Sequence, residues 1–197
     1  MKSGLIVLIV IAVVVLGGVL WAFGVYNSLV RLDQQVNEKW AQVQNVYQRR
    51  ADLVPNLVET VKGFATQERT VLEEVTKARA SVGGIKATPE LVNDPAAMKK
   101  FQDAQNQLGG ALSRLLVTVE RYPELKSNQN FLALQSQLEG TENRITVERM
   151  RYNEAVRDYN TRLRLAPGSI VARMAGFKEK AFFEATPESQ AAPKVKF

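Results

Sequence analysis

Nineteen consecutive residues, Leu5 to Phe23 (LIVLIVIAVVVLGGVLWAF), carry no charged side chain. As a helix rising about 1.5 Å per residue, a run of this length matches the hydrocarbon thickness of a bilayer, about 30 Å. A cleaved signal peptide is the competing reading, because Ala22-Phe23-Gly24 sets small residues where a peptidase cuts and Lys2 supplies a positive start. The apolar core of a signal peptide normally spans roughly 7 to 15 residues, shorter than this run. Trp21, Phe23 and Tyr26 also lie where interfacial aromatics would anchor a retained helix. The expectation is an anchor at residues 1–25, a helical bundle at 26–183 and a disordered tail at 184–197.

Two absences narrow the chemistry. The 197 residues include no cysteine and no histidine. That removes disulfides, thiolate nucleophiles, lipid-modified cysteine and imidazole as ligand or base. Lys and Arg number 26 against 20 Asp and Glu, a formal charge of +6. Beside a membrane this excess favours anionic lipid head groups; with no supporting motif, nucleic acid is not an expected partner.

Beyond the anchor, apolar residues recur at three and four spacing with no sustained strand-like alternation, so the fold class is all-α. One heptad position reads Val36, Val43, Arg50, Leu57, Phe64, Val71, and its companion reads Trp40, Tyr47, Val54, Val61, Glu68, Val75. Both continue in phase through Pro55, which should otherwise break a helix by withdrawing a donor from the Ala51 carbonyl. A kinked long helix over residues 26–82 is therefore favoured over a hairpin, with Asp52 as the alternative cap of a new helix. The Gly- and Pro-rich stretch 81–95 reads as a loop. A second helix over 96–122 carries Phe101, Leu108, Leu115 and Tyr122, with Met98, Gln105, Leu112 and Val119 beside them. A third, over 127–165, carries Phe131, Leu138, Ile145, Tyr152 and Tyr159 seven apart. The architecture predicted is an N-terminal transmembrane helix followed by an antiparallel up-and-down bundle with coiled-coil-like seams. Its helices number three or four, depending on whether Pro55 kinks or breaks the first.

The dipeptide Tyr-Asn occurs at 26–27, 152–153 and 159–160. One reading packs the rings of Tyr152 and Tyr159 in the seam, each hydroxyl on a polar partner and each asparagine bonded locally; the other makes them an exposed docking ridge. Six arginines between Arg144 and Arg164 accompany them, and Glu148, Glu154 and Asp158 offset half of these, which describes a solvated helix face. Arg50, Asp52, Asn56 and Glu59, with Glu142 and Asn143, suggest a buried polar layer or, if Pro55 opens the bundle, a docking surface. Arg50 and Glu142 occupy seam positions and are expected to meet, so that removing either strands the other in the core.

The chain resembles the LemA family of bacterial membrane proteins over nearly its whole length. The likeness is carried by YNSLV (26–30), QRRADLVPNLVETVKGFA (48–65), YPELK (122–126), TENRI (141–145) and RYNEAVRDYN (151–160). It implies a single-pass anchor, an antiparallel helical bundle and a family without established catalytic residues. Members include a protein of magnetosome membranes, which makes membrane organisation a theme. Two departures stand out: Gln67-Glu68 where His-Glu is frequent, and Ala166-Pro167 where Phe-Pro is usual.

No phosphate loop or nucleophile elbow is present, and a bundle-core dimetal site of the Glu-x-x-His type has no histidine to use. An all-carboxylate site from Glu139, Glu142 and Glu148 is the remaining metal option. The expectation is a nonenzymatic scaffold or adaptor at the bacterial cytoplasmic membrane, with no cofactor, a bilayer and a protein partner, and a homo-oligomer as an option. A self-assembling membrane-remodelling protein is the alternative, and a carboxylate-dependent hydrolase or metal enzyme the third. Positive charge flanks both ends of the span, and the resemblance favours a short external N-terminus with a cytoplasmic bundle.

The span reading makes a direct prediction. Mass spectrometry of the mature protein should find residues 5–23 retained, whereas an N-terminus at Val25 would make the bundle a secreted protein.

Overall fold

The computed structural model describes residues 2–65 and 67–184, with side chains from residue 4 onward. Its longest element, α1, runs unbroken for 63 residues, Lys2–Phe64. It is followed by α2 (Arg69–Gly83), a short 3-10 turn (Pro89–Asn93), α3 (Pro95–Val119), α4 (Pro123–Lys126), α5 (Gln129–Arg164) and α6 (Gly168–Ala175). The expected tail lies outside the described residues except for Glu184.

α1 changes solvent partway along. Apart from the partly covered Ala22, the side chains from Gly4 to Gly24 are exposed, and α1 is the one helix among the described residues long and apolar enough to cross a membrane. From Val25 it presents a seam of buried residues, Val25, Leu29, Val36, Trp40, Val43, Tyr47, Arg50, Val54, Leu57 and Val61, spaced three or four apart once the partly buried Leu32 is counted. That spacing keeps one face turned toward its partners. No break separates the two regimes, so at about 1.5 Å per residue some 60 Å of helix stands beyond the span as its direct continuation.

α2 folds back along the distal half of α1, α3 turns outward again, and α5 returns along α1 from the distal end to the membrane side. α6 then packs at the base, where Ala172 meets Val25 and Leu29. Pro55 does not end α1. The Ala51 carbonyl that it deprives of an amide donor accepts instead from Arg79 Nε on α2, at 3.0 Å.

The long first helix expected over 26–82 is corrected here: α1 ends at Phe64, well past the proline, and the chain has reversed by Arg69, where α2 begins. No proline marks this turn, and the residues on either side, Val61, Ala65, Leu72 and Val75, are all buried apolar groups. A heptad pattern is blind to a fold-back that keeps such residues in phase. Glu68 pins the turn to the start of α4, its Oε1 accepting from Tyr122 Oη at 2.8 Å and Arg121 Nη2 at 2.9 Å.

Asp94 caps α3, its Oδ1 accepting from the amides of Ala96 and Ala97, and Asn128 caps α5 through the amide of Phe131. Between α5 and α6 only glycine fits at 168, since a Cβ there would collide with the Arg162 carbonyl. α6 ends on Gly176 in the left-handed region (φ 77°), and the chain leaves as an extended segment, Phe177–Glu184.

Candidate functional site

Two polar assemblies organise the interior. The first is a girdle across the middle of the bundle, where Arg50 of α1 is buried between two apolar clusters. The membrane-proximal cluster is built on Trp40, Tyr47, Phe101, Ile145 and Tyr152; the distal one on Val54, Leu57, Leu108, Leu115 and Leu138. Arg50 Nη1 donates to both Glu142 carboxylate oxygens, at 3.0 and 3.2 Å. Its Nη2 donates to the Gln105 carbonyl at 3.1 Å and to the Gln105 side-chain oxygen. The Tyr47 ring lies 5.1 Å from the guanidinium carbon. Burial pushes the Tyr47 hydroxyl above its ordinary pKa, against the opposing pull of Arg149 and Arg50.

The pair is asymmetric. The Arg50 side chain is 4% exposed and that of Glu142 is 42% exposed. Glu142 thus sits on the rim, because the α5 position it occupies faces the edge of the seam rather than its floor. The expectation that either charge would be stranded holds for Arg50 alone. Asp52, Asn56 and Asn143 do not join the girdle: all three are exposed, and Asp52 accepts from Gln48 one turn back. Glu59 pairs with Lys62 on the surface. The candidate carboxylates are dispersed too, with Glu139 accepting from Gln135 and Glu148 from Arg151. Among the described residues no group of three metal-ligating side chains comes together.

The second assembly is a groove between α1, α3 and α5, in the half of the bundle that α2 does not reach, and it holds the extended C-terminal segment. Tyr152 and Tyr159 are buried, and their hydroxyls donate to the carbonyls of Ala181 (2.8 Å) and Lys178 (2.9 Å). Each following asparagine grips one backbone residue at two points. Asn153 takes the Phe183 amide at 2.9 Å and donates to its carbonyl at 3.0 Å; Asn160 does the same to Lys180, both at 2.9 Å. Gln102 of α3 repeats the grip on Glu184, and the Ala181 amide donates to the Val92 carbonyl at 2.8 Å. The asparagines therefore act 20 and 30 residues away rather than locally, which corrects the expectation. At Tyr26-Asn27 the pattern differs: the Tyr26 ring stacks 5.7 Å from Phe177, and Asn27 is exposed.

Two side chains of the segment fill dedicated pockets. Lys180 Nζ meets Asp33 Oδ1 at 2.7 Å and Asn93 Oδ1 at 2.8 Å, with the Tyr159 ring 5.5 Å away. Phe183 enters a cage of Trp40, Phe101 and Tyr152, and the Arg149 guanidinium lies 4.6 Å from its ring. Outside the groove, Arg164 forks onto Glu179 at 2.8 and 2.6 Å, and this hydrogen bonding holds the Glu179 carboxyl below its usual range. Sequence reasoning singled out the two tyrosines, gave Asn153 and Asn160 a local role, and missed Asp33, Gln102 and Lys180. The recurring Tyr-Asn was the one visible signal of the groove.

Comparison with known proteins adds a family. The model described as the LemA family matches residues 39–197, which takes in the girdle and most of the groove. Magnetosome protein MamQ of Magnetospirillum gryphiswaldense and magnetosome protein MamQ 1 of Paramagnetospirillum magneticum are each 27% identical over 178 residues, covering 82% of this chain and 65% of the relative. Protein LemA of Metamycoplasma hominis is 21% identical over 160 residues, covering 81% of this chain and 69% of that protein. The chain spans 65% of the length of the magnetosome relatives that it matches.

Two measurements follow from the geometry. In a cycle by chemical denaturation, Glu142→Leu should cost about 2 kcal/mol, because it leaves a buried guanidinium short of acceptors. Arg50→Met should cost about 1 kcal/mol or less, since the half-exposed Glu142 turns to water. The double variant should resemble Arg50→Met; additive losses would mean that the pair is uncoupled.

The second concerns alkaline pH. Burial raises the pKa of both groove tyrosines, with Asp33 adding to the rise at Tyr159. A raised pKa favours the neutral phenol in the fold, so this stability is complete below about pH 10, the unfolded value, and is lost as pH climbs through the folded one. In a Trp21→Phe background, Trp40 fluorescence should report release of the segment above about pH 10. Tyr152→Phe and Tyr159→Phe together should abolish that step.

Proposed function

The chain belongs to the LemA family, and on that premise we propose that it is a nonenzymatic scaffold of the bacterial cytoplasmic membrane, a single-pass protein that holds a helical post upright on the bilayer. The observation that carries the reading is the continuity of α1. A span that passes without a linker into the core of a bundle fixes the height and direction of everything packed on it, which suits presentation of surfaces to a partner. A catalytic domain on a flexible tether gains nothing from such stiffness. Most of the buried polar groups are engaged in structure: the Arg50 Nη atoms and Gln105 in the girdle, and the tyrosines and carboxamides in the groove, while Arg50 Nε and Glu148 Oε2 are buried without a partner.

The base of the bundle supports the membrane setting. Met174 of α6, 85% exposed, lines an apolar hollow with Val171 and with Val19, Phe23 and Tyr26 at the end of the span, and Ile170 of the same helix is 59% exposed. An apolar helix face at that height fits the interfacial layer. The magnetosome names of the relatives keep organisation of a membrane by assembly as the second reading. The bundle faces the cytoplasm in this proposal.

The post is testable because the chain is free of cysteine. A single Ser127→Cys at the distal end, labelled and reconstituted in liposomes carrying an acceptor dye in the head groups, should report a separation of about 60 Å. A distance near 20 Å or less would mean that the bundle lies on the membrane, and the scaffold reading would fall.

A further inference from the structure

We propose that the segment Phe177–Glu184 is exchangeable: the groove that holds it accepts the same segment from a second copy of this chain, so that neighbouring copies in one membrane join through traded C-terminal segments.

The groove is built as a receptor for an extended peptide. Three carboxamides, Gln102, Asn153 and Asn160, each contact one backbone amide and one backbone carbonyl of the segment, much as a neighbouring strand pairs with a sheet edge. Such grips recognise extended main chain, and selectivity falls to the side chains between them. Lys180 must reach Asp33 and Asn93, Phe183 must enter the aromatic cage, and the small Ala181 between them is 8% exposed. Lysine, small residue, any residue, phenylalanine is the pattern the groove reads, and a second copy carries it with every contact already matched.

Nothing in these contacts depends on which chain supplies the segment. Its tether is short: α6, docked through Ala172, then the left-handed Gly176 and Phe177, which packs on Tyr26, so exchange draws α6 and Phe177 off α1 together with the rest of the segment. Exchanged and unexchanged forms make the same groove contacts, so the balance rests on hinge strain and on the concentration of copies relative to the tether's own effective concentration, on the order of millimolar. Copies held in one plane approach that regime most readily. Because α1 carries the groove and the segment at a fixed height, those of adjacent copies stand level. This last point rests on the anchoring proposed above; the groove chemistry does not.

The test uses the full chain in liposomes. Phe182 is 41% exposed and points out of the groove, so a donor carrying Phe182→p-benzoylphenylalanine and a size tag is mixed with untagged receptor and irradiated. Tagged–untagged adducts should grow with protein density. A Lys180→Ala/Phe183→Ala receptor, whose own segment is weakened, should raise their yield about tenfold, the effect of one strong anchor. A Gln102→Leu/Asn153→Leu receptor should suppress them. Adducts confined to single chains at every density, with both receptors still helical by circular dichroism, would overturn the proposal. A receptor that unfolds alone and regains helicity with donor supports exchange; one that stays unfolded with donor refutes it. Flotation of the same liposomes reads anchoring separately, so a chain that fails to float indicts the membrane reading and leaves exchange to be scored in solution.

Discussion

One helix has to satisfy two solvents. Residues 5–23 of α1 offer apolar side chains in all directions, as lipid requires, whereas from Val25 only a seam is apolar, as a bundle in water requires. Because the backbone hydrogen bonding passes through that change without a gap, the rotation of α1 in the membrane sets the direction in which Trp40, Arg50 and Leu57 point. Three helices are placed directly by that seam, α5 along it, α2 against its distal half and α6 at the level of Val25 and Leu29, while α3 packs chiefly on α2. The stability of the bundle and its posture on the membrane are therefore one problem.

The girdle shows how such a long seam is kept in register. An uninterrupted apolar stripe tolerates a slip of one heptad between α1 and α5, since one aliphatic residue replaces another. Arg50 does not tolerate it, because its guanidinium needs Glu142, Gln105 and the face of Tyr47 at one level of the bundle. A buried charge adds little net stability even where its Nη donors are matched, and Arg50 Nε is left without a partner, so the value of the residue lies in the cost of every alternative register. The partial exposure of Glu142 lowers the desolvation that the pair would otherwise incur.

Much of this was legible in the residues alone. The span, the helical class, the seam positions on α1, α3 and α5, and the meeting of Arg50 with Glu142 all follow from spacing, because side chains seven apart share a face whatever else the chain does. What periodicity does not carry is direction. The reversal between α1 and α2 falls between segments of compatible phase and lacks a proline, so it was hidden, while the unshifted phase through Pro55 rightly pointed to a helix that continues, with Arg79 taking up the freed carbonyl. The groove was hidden for another reason. Its asparagines stand beside seam tyrosines, where a local role suffices to explain them, and their partners lie in a segment with no secondary structure of its own. Lys180 gave no sign of being buried, since a Lys-Glu-Lys run after a glycine turn reads as solvated surface.

The extended segment also sets how the molecule responds to pulling. From Lys178 beside Tyr159 to Glu184 beside Gln102, it climbs away from the membrane, antiparallel to α5. A load drawing Glu184 straight outward along the bundle axis puts all the carboxamide grips, the lysine pocket and the phenylalanine cage in shear together. A load drawing it sideways peels them one at a time, beginning at Gln102. The same contacts thus resist strongly in one direction and yield in another, which makes the C-terminus a directional latch whose strength depends on where its load comes from.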